Sequence, residues 1–150
     1  MVRVLYLSAT PRVGGAEQSL LTLLAHLDRD KVDPVLACPA AVTSFAAPGA
    51  GNGDIHPANG DLPVRAEALG VTCVRIPLQR LQRTWSPFRL VGVWRGLAEA
   101  RRACAACAAD RSIDLIHANS AAAALQAGGA PVLCHLRDLR LPRLAAWCLR

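Results

Sequence analysis

Two glycines near the start of the chain have the spacing of a phosphate-binding turn. Gly14 and Gly15 come just before Glu17, where a segment with leucines at helical spacing begins. The first turn of a helix presents backbone N–H groups and the positive end of a dipole, and glycine leaves that backbone open to an anion. A tight turn before a helix also favours glycine, so both interpretations stay open.

A second candidate segment, DLIHANS, occupies residues 114–120. Asn119 and Ser120 carry an amide and a hydroxyl that can hydrogen-bond to a ligand. The same residue types cap helices, and capping can coexist with ligand contact. His117 ends an apolar run, so either a core position or a site position fits this histidine.

A third candidate segment is HLRD at residues 135–138. His135, Arg137 and Asp138 are the polar residues that follow an apolar run. Asp138 could act in a binding cleft or form a surface ion pair with Arg137 or Arg140.

Five apolar runs alternate with helical patterns, which predicts an α/β fold with a doubly wound, mainly parallel, Rossmann-like sheet. The strand order 3-2-1-4-5 would place the loops after strands 1, 4 and 5 around one crevice, where such sheets bind ligands. The predicted strands are 2–7, 34–38, 71–77, 113–117 and 131–135, and the predicted helices are 17–27, 62–69, 87–110 and an alanine-rich helix that ends at Gly128 and Gly129.

The predicted helix at 87–110 starts with Ser86 as N-cap and Pro87 at its first position. Its pattern predicts an apolar face that Arg101 interrupts, and a solvated side with three other arginines. The apolar face contains Leu90, Trp94, Leu97, Cys104 and Ala108, and the solvated side contains Arg89, Arg95 and Arg102.

Other nucleotide-binding folds do not fit these segments. The first loop, ATPRVGGAE, lacks GxGxxG, and the second strand ends in Cys38 and Pro39 instead of an acidic residue, which argues against nicotinamide binding. GxxxxGK[ST] is also missing from the sequence. A receiver-type domain would need an aspartate where Ile76 and Pro77 stand.

The 150 residues make one domain, with a long flexible loop predicted at 39–62, where glycine, proline, asparagine and aspartate concentrate. No apolar run is long enough for a membrane span, and the N-terminal run lacks a cleavage site, so we expect a cytoplasmic protein. The net charge of +6 permits contact with the inner membrane face and does not require it. Aromatic residues at 4% argue against a nucleic-acid partner.

The six cysteines are expected to be structural, with no metal bound. Cys38, Cys73 and Cys134 lie in apolar runs, where cysteine is a small buried hydrophobe. Cys104 and Cys107 form a CxxC inside a helical pattern, without a second pair at zinc-finger spacing. His56 stands alone in the long loop and is expected to be solvated.

Together the three segments resemble the N-terminal domain of family 4 glycosyltransferases of the GT-B type. GGAE at 14–17, DLIHANS at 114–120 and VLCHLRD at 132–138 match that family's signatures in order and spacing. The resemblance implies one Rossmann-like lobe of a retaining enzyme that transfers a hexosyl group from a nucleotide sugar, without a cofactor or metal.

The resemblance also implies roles for individual residues. Gly14 and Gly15 would face the donor diphosphate, and His135 and Asp138 would lie near the transferred sugar as catalytic candidates. The residues implied for the acceptor cleft are Glu17, Asn119, Ser120 and Arg137; Arg137 stands where relatives carry a different polar residue.

The family's donor-binding lobe, with a basic pair and a Glu-x7-Glu arrangement, is not found within residues 1–150. The chain is therefore expected to be a lobe that is inactive alone, whose partners are a nucleotide-sugar donor, a glycan or lipid-linked acceptor and the missing C-terminal lobe. The alternative is a non-catalytic Rossmann-like binding or regulatory module.

Overall fold

A computed structural model of the chain describes residues 1–39, 61–79 and 87–136, with the side chains of 87–90 left aside. Most of the loop predicted at 39–62 lies outside these residues. Ser86, Arg137 and Asp138 lie outside them as well, so the structure tests none of their predicted roles.

The described strands form one parallel sheet, which confirms the predicted fold class, and their order, β3-β2-β1-β4-β5, is the one assumed above to place the loops. Register is continuous across the centre of the sheet: β1 pairs with β2 from Val2 opposite Val32 and with β4 from Val4 opposite Leu115. The strands are β1 (Val2–Leu7), β2 (Val32–Pro39), β3 (Thr72–Ile76), β4 (Leu115–Ala118) and β5 (Val132–Cys134).

Helices cover both faces of the sheet. The helices are α1 (Gly15–Ala25), α2 (Leu62–Ala68), α3 (Pro87–Asp110) and α4 (Ala121–Ala124). Side chains alternate across a strand, so Val4 and Tyr6 pack with α1 and α2, while Leu5 and Leu7 pack with α3 and α4. The doubly wound arrangement follows from this burial on both faces.

Two element lengths differ from the sequence prediction. β2 begins at Val32 instead of residue 34, because Val32 and Asp33 pair with Val2 and Arg3 of β1. The alanine-rich helix has only one turn, Ala121–Ala124, before the chain turns toward β5.

The predicted core face of α3 is wrong for Trp94 and right for Cys104 and Ala108, which are buried in the core. Trp94 is 62% exposed, and the row that contacts the core consists of Ala100, Cys104 and Ala108. A close approach explains the choice of small residues, because a Cβ at Gly129 would lie 2.7 Å from the Ala105 Cα atom. Arg95 and Arg102 are exposed, as predicted.

Arg3 joins three segments at the edge of the sheet where the strands begin. Its Nε lies 2.6 Å from Asp33 Oδ2, and its Nη1 donates to the carbonyl oxygen of Arg111 at 2.8 Å. Its backbone N–H donates to Asp114 Oδ2. The end of α3 and the starts of β2 and β4 are thus fixed to β1.

Gly70 and Gly129 both have positive φ, 73° and 97°, but only Gly129 is also in close contact. We expect Gly70→Ala to lower the free energy of unfolding by about 1 kcal/mol, the cost of a left-handed alanine. Gly129→Ala should cost at least about 2 kcal/mol more, because its Cβ would overlap the α3 backbone. Urea denaturation followed by circular dichroism measures both; equal losses would contradict the close packing of this turn.

Candidate functional site

Backbone hydrogen bonds bring together the turns that follow β1, β4 and β5. The Asn119 N–H donates to the Leu7 carbonyl oxygen at 3.0 Å, and the His135 N–H donates to that of Ala118 at 2.8 Å. Ser8 extends the pairing of β1 toward β2 by donating to Ala37. The predicted site residues that the structure describes therefore lie at one edge, called here the carboxyl edge because the strands end there.

The glycine loop, residues 8–15, leads from β1 into α1. Gly14 is the N-cap in an extended conformation, and α1 begins at Gly15. Both glycines are exposed at the carboxyl edge. The N–H of Gly15 belongs to the first helical turn, whose N–H groups have no acceptor within the helix. This is the backbone arrangement that receives anions.

Glu17 points into the glycine loop. Its side chain is buried (8% exposed), with Oε1 3.3 Å from Ser8 Oγ and Oε2 accepting the N–H of Gly14 at 3.2 Å. A Cβ at Gly14 would lie 3.1 Å from that Oε2. Glu17 therefore joins the end of β1 to the start of α1, and contact between Glu17 and an acceptor stays a prediction.

Two contacts that the sequence did not reveal hold the glycine loop from outside. Asp61 Oδ1 accepts the Val13 N–H at 2.9 Å, and the Leu62 N–H donates to the Pro11 carbonyl oxygen at 3.0 Å. The start of α2 thus fixes the outer part of the loop. Aspartate before an apolar helix is a common N-cap signal, but its partner here is a loop 48 positions away.

Asn119 and Ser120 have structural hydrogen bonds in addition to their predicted roles. Asn119 is buried and donates from Nδ2 to the Ala16 carbonyl oxygen at 3.3 Å, which links β4 to the first turn of α1. Ser120 Oγ accepts the Ala123 N–H at 3.2 Å and caps α4. Capping is therefore real, and ligand contact by either residue stays a prediction.

Three aromatic rings are in contact near the carboxyl edge, the first pair edge to face and the second tilted. His117 is buried between Tyr6, with ring centroids 5.1 Å apart, and His135, with centroids 5.7 Å apart. Burial raises the pKa of the Tyr6 hydroxyl. His117 thus occupies a core position, while the exposed His135 lies above it at the edge.

Arg12 is a candidate that the sequence analysis did not assign. It is exposed in the glycine loop, two residues before Gly14. A guanidinium so close to a helix N-terminus can form charge-assisted hydrogen bonds with a phosphate. The signal was available, because arginine is the only charged residue within the loop sequence ATPRVGG.

The structure describes five of the cysteines, all with free thiols: Cys38, Cys73, Cys104, Cys107 and Cys134. Burial raises the pKa of each of these five thiols, to about 12 for Cys73, so they are poor nucleophiles at neutral pH. Within residues 1–39, 61–79 and 87–136, no cluster of three or more His, Cys, Asp or Glu side chains could hold a metal ion.

A cavity of about 400 Å³ lies at the opposite edge, between the starts of β2 and β3. Its polar lining already has partners: Arg29 donates to the carbonyl oxygens of Leu24 and Leu69, and Asp33 pairs with Arg3. The cavity is therefore separate from the candidate site, and both of its charged side chains already have partners.

Comparison with protein families identifies the family of this chain. The model of the glycosyl transferase 4-like domain matches residues 14–150. The chain belongs to this family. A comparison with curated proteins found no significant match.

A solved structure shares the fold of this glycosyl transferase 4-like domain. The crystal structure of a glycosyltransferase from Rickettsia africae ESF-5 superposes with a TM-score of 0.52 at 12% sequence identity. The match covers 95% of this chain and 32% of the other. The domain thus spans about a third of that glycosyltransferase, and the likeness concerns the fold alone.

The role of Glu17 in shaping the glycine loop can be tested by substitution. Glu17→Ala should lower the free energy of unfolding by about 1 kcal/mol, because the N–H of Gly14 loses its acceptor while the Ser8 hydroxyl keeps the Thr10 carbonyl oxygen at 3.0 Å. Glu17→Gln keeps one acceptor oxygen and should cost less. Urea denaturation provides the measurement, with Gln18→Ala at the exposed neighbouring position as control. Equal stability of Glu17→Ala and Gln18→Ala would contradict the assignment.

Proposed function

We propose that this domain is the acceptor-side lobe of a retaining GT-B glycosyltransferase that uses a nucleotide-sugar donor. The glycine loop would face the donor diphosphate. The observation that carries the proposal is the environment of Gly15, which differs from that of Gly14.

Gly15 has no structural requirement for glycine among the residues that the structure describes. Its φ lies outside the left-handed region, and no described atom comes within 4 Å of a Cβ placed on it. Gly14, in contrast, is restricted by the nearby Glu17 carboxylate. Because Gly15 also lies at the N-terminus of α1 on the carboxyl edge, its open backbone suits a ligand that approaches from outside.

Charge around the glycine loop supports an anionic ligand on its outer side. The Glu17 carboxylate takes the N–H of Gly14 on the buried side, while Gly15 is exposed. Arg12 adds a positive charge on the exposed side of the same loop. The buried carboxylate therefore shapes the loop, and the helix dipole and Arg12 attract the phosphate groups.

The acceptor would lie beside the turns that follow β4 and β5. Asn119 and Ser120 would contact its hydroxyl groups, and His135, exposed above His117, would hydrogen-bond near the transferred sugar. We include Arg137 as an acceptor contact and Asp138 as a catalytic candidate from the family resemblance. Glu17 would act on the acceptor indirectly, through the loop that it holds.

Transfer would require a second lobe that binds the nucleotide and stabilises the departing phosphate. The match to only 32% of the Rickettsia glycosyltransferase agrees with a domain that works within a larger enzyme. We therefore expect no appreciable turnover from the 150-residue chain alone, because positioning and charge stabilisation of the leaving group are missing.

The diphosphate site can be tested by titrating the 15N-labelled chain with uridine diphosphate and with inorganic pyrophosphate. Both should shift the amide signals of Gly15 and its helical neighbours. Gly15→Ala should raise the apparent Kd by about tenfold, because loss of one charge-assisted hydrogen bond costs on the order of 1.5 kcal/mol. Arg12→Gln should weaken binding as well.

Gly92→Ala is the matched control, since Gly92 is an exposed helical glycine that also has open space around it. It should leave binding unchanged. Signals that shift around the Arg29 cavity instead, or equal binding by Gly15→Ala, would contradict the proposed site. Sugar transfer by the isolated chain, abolished by Gly15→Ala, would contradict the need for a second lobe.

A further inference from the structure

One side of α3 exposes apolar and basic residues in a continuous stripe. Val91 is 60% exposed and Trp94 is 62% exposed. Helical periodicity places them on the same side as three more exposed residues. The stripe, called here the α3 outer face, consists of Val91, Trp94, Arg95, Ala98 and Arg102.

The first half of α3 extends beyond the sheet. The helix has 24 residues and is about 36 Å long, whereas the six residues of β1 span about 20 Å. The side chains that pack in the core, Ala100, Cys104 and Ala108, lie in its second half, while Gly96 in the first half is buried against Gln79. The helix ends beside Arg3, where the strands begin, so its first half lies at and past the carboxyl edge.

The residue types of the α3 outer face suit a membrane surface. Tryptophan prefers the boundary between lipid headgroups and acyl chains, and arginine binds anionic headgroups while its stem covers apolar surface. Positions 91–102 contain three basic residues and one acidic residue, Glu99; the basic residues are Arg95, Arg101 and Arg102. The chain as a whole carries a net charge of +6.

A second copy of the chain fits this face less well. A stable protein interface buries on the order of 800 Å² per partner. A tryptophan contributes roughly 150–250 Å², and one valine adds little to that. The exposed arginines of two copies would also repel each other. A lipid surface needs no matching partner and gains from the same charges.

We propose that the α3 outer face docks the protein on an anionic lipid surface. Trp94 and Val91 enter the interface, and Arg95 and Arg102 contact the headgroups. The residues that the structure describes include no helix long and apolar enough to cross a membrane, so this contact is peripheral. The docking proposal is argued from α3 alone. The suggestion that docking brings a lipid-linked acceptor to the carboxyl edge rests on the proposed function.

The test is sedimentation of the chain with vesicles of phosphatidylcholine mixed equally with phosphatidylglycerol, and with phosphatidylcholine alone. The chain should bind the anionic vesicles, and added salt should weaken binding. Trp94→Ala should weaken it about tenfold. Arg95→Gln and Arg102→Gln should each cost about fivefold, since one basic residue near such a surface contributes about 1 kcal/mol.

Val91 and Val64 supply a matched pair, because Val64 in α2 is 58% exposed and equally helical. Val91→Gln should weaken vesicle binding, and Val64→Gln should not. Circular dichroism verifies that all variants fold.

Failure to bind anionic vesicles, or equal losses from the two valine variants, would overturn the proposal. Self-association that depends on Trp94 would assign the face to a second copy instead. The diphosphate site is measured by nucleotide titration and the docking face by vesicle sedimentation. Failure of one proposal can therefore be distinguished from failure of the other.

Discussion

The buried carboxylate of Glu17 determines the conformation of the glycine loop. A buried polar group must be hydrogen-bonded, and here the partners are Ser8 at the end of β1 and Gly14 at the start of α1. Ser8 is itself paired with β2 through Ala37. One side chain therefore couples the sheet to the helix N-terminus, and it does so from the buried side. The outer side of the loop, with Gly15, is left for a ligand.

Close packing of α3 on the sheet explains why its largest side chain lies outside. The turn before β5 approaches so closely that Gly128 and Gly129 lie within about van der Waals contact of the α3 backbone. Only small side chains fit in the row of Ala100, Cys104 and Ala108. Trp94 cannot share that row, so the helix exposes it beside its arginines.

The sequence predicted a doubly wound parallel sheet because alternating strands and helices allow few right-handed arrangements. It also located the carboxyl-edge residues, since loops after strands 1, 4 and 5 must meet. It placed Trp94 on the wrong side of α3, because leucine and tryptophan dominate a hydrophobic pattern. The burial of the small residues depends instead on the turn at Gly129, which is distant in sequence. Contacts of Asp61 and Gln126 could not be predicted either, because their partners are backbone groups 48 and 47 positions away.

Gln126 shows how a side chain can replace a strand. It is fully buried, and its amide both accepts the Gln79 N–H at 2.6 Å and donates to the Gln79 carbonyl oxygen at 2.9 Å. The opposite residue of a hydrogen-bonded antiparallel pair would make the same two bonds. The chain that leaves β3 is thereby kept in ladder-like pairing three residues beyond Ile76, without an additional strand. The side chain of Gln79 also contacts α3 at Gly96. The pairing of Gln79 with Gln126 therefore also holds the first half of α3 next to the chain that leaves β3.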